Sequence, residues 1–320
     1  MKKRWLWLLV ALCALAVSPG FAEPVRKVHP LERASVRLYL EQNQDDGFKP
    51  PRPQVLLVHG ITYSSHEFDV DSGDYSLVDF LVQHGFSVWL LDIAGYGRSG
   101  PVDGLKVDSD YAAEDVAAAV AHIRQSSGAD RVHLLGWSWG TIVTARMAAR
   151  HSEQVASLIL YAPIVKRPEG ATPPTAPVHA NTWDHAAEDF QKRPDGEIDF
   201  GTVEPAVAAA FLSSCWRYDG KGSPNGGRVD VMRQDPTPLI DAGRLTMPVL
   251  FLAGTRDPYM SWDALEEAYS RLPRREASRF VKIEGGSHIL MLEKDHYKRF
   301  QREVLSFLLG NPPPLPLRSP

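Results

Sequence analysis

The sequence predicts an α/β protein, a mostly parallel central sheet flanked by helices and interrupted by an inserted helical cap, on three observations. First, short continuous apolar runs recur at QVLLVHG (54–60), FSVWLLD (86–92), RVHLLG (131–136), VASLILYAP (155–163), MPVLFLAG (247–254) and RFVKIEGG (279–286). Runs of that length without polar alternation read as strands buried on both faces. Second, helical stretches fall between them, the alternation that a parallel sheet with helices on both faces requires. Third, the alternation stops after Pro163 and resumes at Met247. Residues 164–247 are therefore read as the cap, dividing a core of 23–163 and 248–310.

Taken in order, Lys2, Lys3 and Arg4 precede an apolar run at residues 5–17, and Gly20-Phe21-Ala22 supplies small residues at the recognition positions of a cleavage site. This predicts a signal peptide over residues 1–22 and a mature chain beginning near Glu23, exported to a periplasm or the outside. The 13 apolar residues fall short of the roughly 20 that span a bilayer, so no stable membrane anchor is expected. Leu12 before Cys13 also lacks the small side chain that resemblance to a lipoprotein signal would require.

ASVRLYLEQ (34–42) alternates like an early strand, and a proline-rich loop follows it. Helices are predicted at 75–84, at 110–126 with Asp110 near its start, and at 139–151. Inside the cap, RPEGATPPTAP and DGKGSPNGG read as loops, with helices near 183–193 and 204–216. Helices at 262–272 and 294–309 close the core, and NPPPLPLRSP (311–320) reads as an exposed polyproline tail.

At 320 residues and 44% hydrophobic, the chain can bury one sizeable core. Removal of the leader leaves 32 of the 35 basic residues against 39 acids, a formal charge of −7, so nucleic acid is not an expected partner. Cys215 would be the sole remaining cysteine, which excludes an intramolecular disulfide.

The chemistry concentrates at Gly136-Trp137-Ser138-Trp139-Gly140, a G-x-S-x-G sequence at the junction of a predicted strand and a predicted helix. A turn that sharp needs residues nearly free of side chain two positions to either side of the serine, which it holds proud of the sheet. In this context the chain resembles the α/β-hydrolase family from about residue 50 to 310, the cap excepted. The resemblance implies an acid and then a histidine after the nucleophile, each just past a strand. Asp257 in LFLAGTRDPYM and His288 in IEGGSHILMLE occupy those places. His288 would then be the general base for Ser138, and Asp257 would fix its tautomer.

The backbone N–H of Trp139 and, by the same resemblance, that of Ile61 would form the oxyanion hole. His59, Asp92, Arg98 and Ser99 read as structural, and the HGGG form of the loop after the first buried strand is absent. Three weaker signals are set aside or left open. DVDSGD (69–74) lacks EF-hand spacing and reads as a solvated acidic turn. His179 and His185 lack a third ligand for a metal. Trp183, Trp216 and Tyr218 suit either a substrate pocket or the cap's own core.

The expected function is a secreted serine hydrolase acting on a small-molecule carboxylic ester. Thr62, Tyr63, Trp183 and Trp216 are the candidate substrate contacts. A proline iminopeptidase, a lactonase, a thioesterase or a carbon-carbon hydrolase would use the same triad. A binding module that has lost catalysis is the non-enzyme alternative. No motif implies a cofactor, and none sets the oligomeric state.

Overall fold

The computed structural model describes residues 24–49 and 51–310. The expected leader at 1–22, its cleavage before Glu23 and the tail at 311–320 lie outside the described residues. The chain runs through β1 (Val25–Arg33), β2 (Val36–Gln44), β3 (Gln54–Val58), α1 (Leu77–Gln83), β4 (Ser87–Asp92), α2 (Ser109–Ser127), β5 (Val132–Trp137), α3 (Trp139–Arg150) and β6 (Val155–Tyr161). Between β6 and the next sheet strand lie β7 (Val178–His179), α4 (Trp183–Ala186), α5 (Pro205–Asp219), β8 (Ser223–Pro224) and α6 (Gly226–Met232). The sheet resumes with β9 (Val249–Gly254), α7 (Trp262–Ser270), β10 (Arg279–Ile283) and α8 (Tyr297–Leu308).

Eight strands form one sheet in the order β1-β2-β4-β3-β5-β6-β9-β10. From β4 to β10 every neighbouring pair is parallel, and the β1–β2 hairpin adds to β4 antiparallel. Every residue of β3, β4 and β9 is buried. Alternate residues serve opposite faces: Leu56, Val58, Leu134 and Phe251 pack with α2, α3 and α7, whereas Val55, Leu57, Leu135 and Leu250 pack with α1, α5 and α8. Each such side chain contributes about 1.5–3 kcal/mol on burial, which is why these runs are apolar without alternation.

Three elements differ from the sequence expectation. The early strand expected at 34–42 is present as β2, but it is the second strand of a hairpin whose first strand, β1, was not expected. Ala34 and Ser35 make its turn at φ 49° and 63°, the left-handed geometry of a type I′ turn that sequences usually announce with Asn-Gly. The helix expected at 183–193 stops after one turn, at Ala186. Beyond it Asp199 N–H donates to the Gln191 carbonyl at 2.8 Å and Arg193 N–H to that of Glu197 at 2.9 Å. This small antiparallel turn is built on Pro194-Asp195-Gly196, a turn sequence that competes with helix. The glycine-rich loop at 219–227 ends by starting α6. A Cβ on Gly226 would sit 2.5 Å from the Val107 carbonyl carbon and one on Gly227 2.7 Å from the Trp139 ring, so the glycines serve close packing there.

Candidate active site

β3, β5, β9 and β10 all end at the same edge of the sheet, where ligands bind in open parallel sheets. Ser138 stands between β5 and α3 at φ 54°, ψ −119°, a strained region for any residue but glycine. Its N–H donates to the Tyr161 carbonyl at 2.9 Å, and its carbonyl accepts from Thr141 N–H at 3.0 Å. The flanking glycines have distinct causes. A Cβ on Gly136 would lie 2.3 Å from the Gly140 carbonyl oxygen, and one on Gly140 would lie 2.4 Å from that of Val58. The first lets the elbow close on itself; the second lets α3 press against β3. Gly140→Ala is accordingly expected to cost about 3 kcal/mol, the upper range for overpacking, read as a lowered urea midpoint. An unchanged midpoint would show that the close approach is not needed.

Past β9, Asp257 is buried; its Oδ1 accepts from Tyr259 N–H at 2.9 Å and its Oδ2 accepts from His288 Nδ1 at 2.7 Å. That bond leaves His288 Nε2 as the basic nitrogen. The His288 carbonyl accepts from Trp137 Nε1 at 3.1 Å and from the Tyr161 hydroxyl at 2.9 Å. Buried Glu293 accepts from Ser287 N–H at 3.1 Å and from its hydroxyl at 2.7 Å, which holds the residue before the histidine. Burial opposes the imidazolium of His288, but the charge and hydrogen bond of Asp257 outweigh it, so the net shift is upward from the ordinary value of 6.5.

The loop after β3 is tied down almost residue by residue. His59 accepts from Ile93 N–H at Nε2 (3.1 Å) and donates from Nδ1 to the Gly60 carbonyl (2.8 Å), so it serves as a neutral brace. Gly60 N–H donates to Glu67 Oε2 at 3.1 Å, and the Tyr96 hydroxyl donates to the Ile61 carbonyl at 3.0 Å. Ser64 N–H and its hydroxyl both donate to Asp219 Oδ2 at 2.9 Å, and Ser65 N–H donates to Asp92 Oδ1 at 3.0 Å. Arg98 pairs with Asp92 Oδ2 at 2.9 Å, while Tyr39 N–H donates to Ser99 Oγ at 2.8 Å. Asp92, Arg98 and Ser99 therefore order loops here.

A cavity of about 670 Å³ opens above this edge. Ser138, His288, Ile61, Trp139 and Thr62 all reach its wall, together with the apolar Ile164, Val231, Met232, Pro258 and Met260. Trp139 is the first residue of α3, where backbone N–H groups have no intrahelical acceptor. Its indole runs back into the core and donates to Ser109 Oγ at 2.9 Å.

Three of the expected substrate contacts lie elsewhere. Trp183 and Trp216 stack on one another at 5.3 Å, each about half exposed, outside the cavity. The physical reason is helical phase: α5 buries Val207, Phe211 and Cys215, which turns Trp216 outward. Tyr63 is buried edge-on against Phe211, and Tyr218 stacks on His66 at 5.2 Å. His179 and His185 do meet, with 3.0 Å between ring nitrogens. The acidic turn is not free: Asp69 pairs with Arg26 at 2.5 Å, and Asp74 accepts from the Tyr297 hydroxyl at 2.6 Å.

Sequence reasoning missed Glu67, Asp189 and Arg228, all on the cavity wall. Burial pushes Glu67 well above the usual carboxylate range, Asp189 and Asp219 add to this, and only the Gly60 N–H opposes it. No local pattern marks these residues, since each is a polar residue in an otherwise ordinary loop or helix.

A mostly parallel sheet with a serine elbow and an inserted cap at its carboxyl edge defines an α/β-hydrolase. More narrowly, the chain belongs to the family described as serine aminopeptidase, S33, whose pattern matches residues 49–295. It is 29% identical to the polyketide synthase ThaQ of Burkholderia thailandensis over 80% of this chain, but spans only 12% of that protein. It is 38% identical to a non-heme haloperoxidase of Rhodococcus erythropolis over 38% of this chain and 37% of that one. Among solved structures, a hydrolase from Pseudomonas aeruginosa superposes with a TM-score of 0.64 at 20% identity, covering 88% of this chain and 98% of the other.

Proposed function

We propose that the chain is a serine hydrolase cleaving a carboxylic ester through an acyl-enzyme, with Ser138, His288 and Asp257 as its triad. The supporting observation is the 2.7 Å bond from His288 Nδ1 to Asp257, set at a cavity whose wall also carries Ser138. His288 Nε2 takes the Ser138 proton as Oγ attacks the carbonyl carbon, and returns it to the leaving alcohol. The amides of Ile61 and Trp139 receive the oxyanion, each worth about 3 kcal/mol of barrier. Water, deprotonated by the same nitrogen, then releases the acid. Thr62 contacts the substrate, and the apolar wall suits an acyl group of modest size. The charged start and apolar run at residues 2–17 further support export. No helix among the described residues is long and apolar enough to cross a membrane.

The family description, with the polar side chains of Glu67 and Asp189 on the cavity wall, favours a second reading, cleavage of an N-terminal residue. p-Nitrophenyl acyl esters of graded length, lactones, thioesters and proline arylamides, assayed on one preparation, separate the two. Esters are expected to exceed arylamides in kcat/KM by at least about tenfold, ~1.4 kcal/mol. Preference for the arylamides would overturn the ester reading.

A further inference from the structure

The cap places a buried guanidinium against the loop that carries Ile61. Arg228, in α6, is 7% exposed, and its hydrogen bonds go only to neutral oxygens. Nη1 donates to Ser223 Oγ at 3.2 Å and to the Pro224 carbonyl at 3.3 Å, and Nη2 donates to Thr62 Oγ1 at 2.9 Å. No carboxylate among the described residues pairs with it. The contrast with other arginines is direct: Arg98 meets Asp92 at 2.9 Å and Arg146 meets Asp230 at 2.9 Å. A guanidinium stays charged at any physiological pH, and burying it without a counterion is costly. Arg228 lines the same cavity as Ser138, so an anion entering that cavity would supply the missing charge.

Its neighbours do not cancel it. Lys166 is matched by Glu169 at 2.8 Å, and Arg167, also on the cavity wall, donates to the Asp230 carbonyl while its Nε has no acceptor among the described residues. Among the cavity's acids, burial pushes Glu67 well above the usual carboxylate range while its Oε2 accepts from Gly60 N–H, and burial pushes Asp189 upward despite the nearby His288 and His185.

We propose that Arg228 anchors a carboxylate of the substrate, so that the preferred esters carry a free acid group close to the scissile carbonyl. Thr62, whose Oγ1 holds Arg228 Nη2 at 2.9 Å, directly follows Ile61 and lines the same cavity as Ser138. We take the substrate class accordingly as a short dicarboxylic monoester such as a hemiglutarate. The inference rests on the ester reading for its substrate, but the anion site can be measured apart from it.

The test compares p-nitrophenyl hemiglutarate with p-nitrophenyl valerate, of similar size but without the acid. The full chain is expected to prefer the hemiglutarate, and Arg228→Gln to lower the acid-to-neutral ratio of kcat/KM roughly 10- to 100-fold, mainly through KM. Arg228→Lys should fall between them, since it keeps the charge and loses the fork. Equal losses on both substrates would overturn the proposal and make Arg228 a brace for the loop. A second measurement needs no variant at Arg228: free glutarate should compete with valerate ester hydrolysis and uncharged glutaramide should not, whereas equal inhibition by the two overturns the proposal. Calorimetric binding of glutarate to Ser138→Ala, with no hydrolysis of either ester by the unsubstituted chain, would uphold the anion site and reject the ester reading.

Discussion

Ser138→Ala is expected to lower kcat by about a million-fold on any ester the chain hydrolyses and to abolish covalent labelling by a fluorophosphonate. The proposed mechanism routes both acylation and deacylation through Oγ, and no neighbouring hydroxyl shares its position at the elbow. Stability should not follow activity. Ser138 is held at φ 54° and ψ −119°, a geometry costing a residue with a Cβ on the order of 1–3 kcal/mol. Ser138→Ala keeps that strain, so its melting temperature should match that of the parent. Ser138→Gly relieves it and should be more stable by about 1 kcal/mol after the chain-entropy cost of glycine. Retained labelling in a folded Ser138→Ala protein would remove the serine from the mechanism, whatever its geometry.

Asp257→Asn is the second large effect, a loss of about 10,000-fold in kcat with the fold intact. An amide in place of the carboxylate can no longer select the tautomer with the proton on Nδ1, nor stabilise the imidazolium. The pH profile gives an independent reading. His288 must be neutral to accept the Ser138 proton, so activity rises as pH climbs through its pKa. Burial lowers that pKa and Asp257 raises it by more, so the acid limb of kcat/KM should have its midpoint above 6.5. In Asp257→Asn the charge is gone and burial remains, so the midpoint should move down. A midpoint that stays in place or moves up in the variant would separate the 2.7 Å contact from the titration of the base.

The tryptophans flanking the serine show where local pattern stops being informative. Both are buried, yet Trp137 braces the histidine loop through the His288 carbonyl while Trp139 is fastened to the start of α2 at Ser109. Nothing in the five residues distinguishes them; the partners lie 151 and 30 residues away. The glycines behave differently. Their spacing around Ser138 already announced a sharp turn, and the structure adds that Gly140 also admits the β3 backbone. The β1–β2 hairpin escaped notice for a chemical reason. Ala-Ser occupies a turn whose positive φ values are normally signalled by asparagine or glycine, so tertiary pairing overrode the local preference there.

By itself the sequence determined the α/β architecture, the strand-turn-helix elbow and the order of serine, aspartate and histidine. Each of these is written in a window of about ten residues, as an uninterrupted apolar run, a glycine spacing or a position just past a strand. Only the tertiary structure decided what faces the cavity. It turned Trp183 and Trp216 outward, packed Tyr63 into the core, and brought Glu67 under the Gly60 amide. It also set Arg228 on Thr62 across 166 residues of chain. The periodicity of an element states which of its faces is apolar. Which distant element meets that face, and whether a charge placed there finds a partner, follows only from how the elements pack.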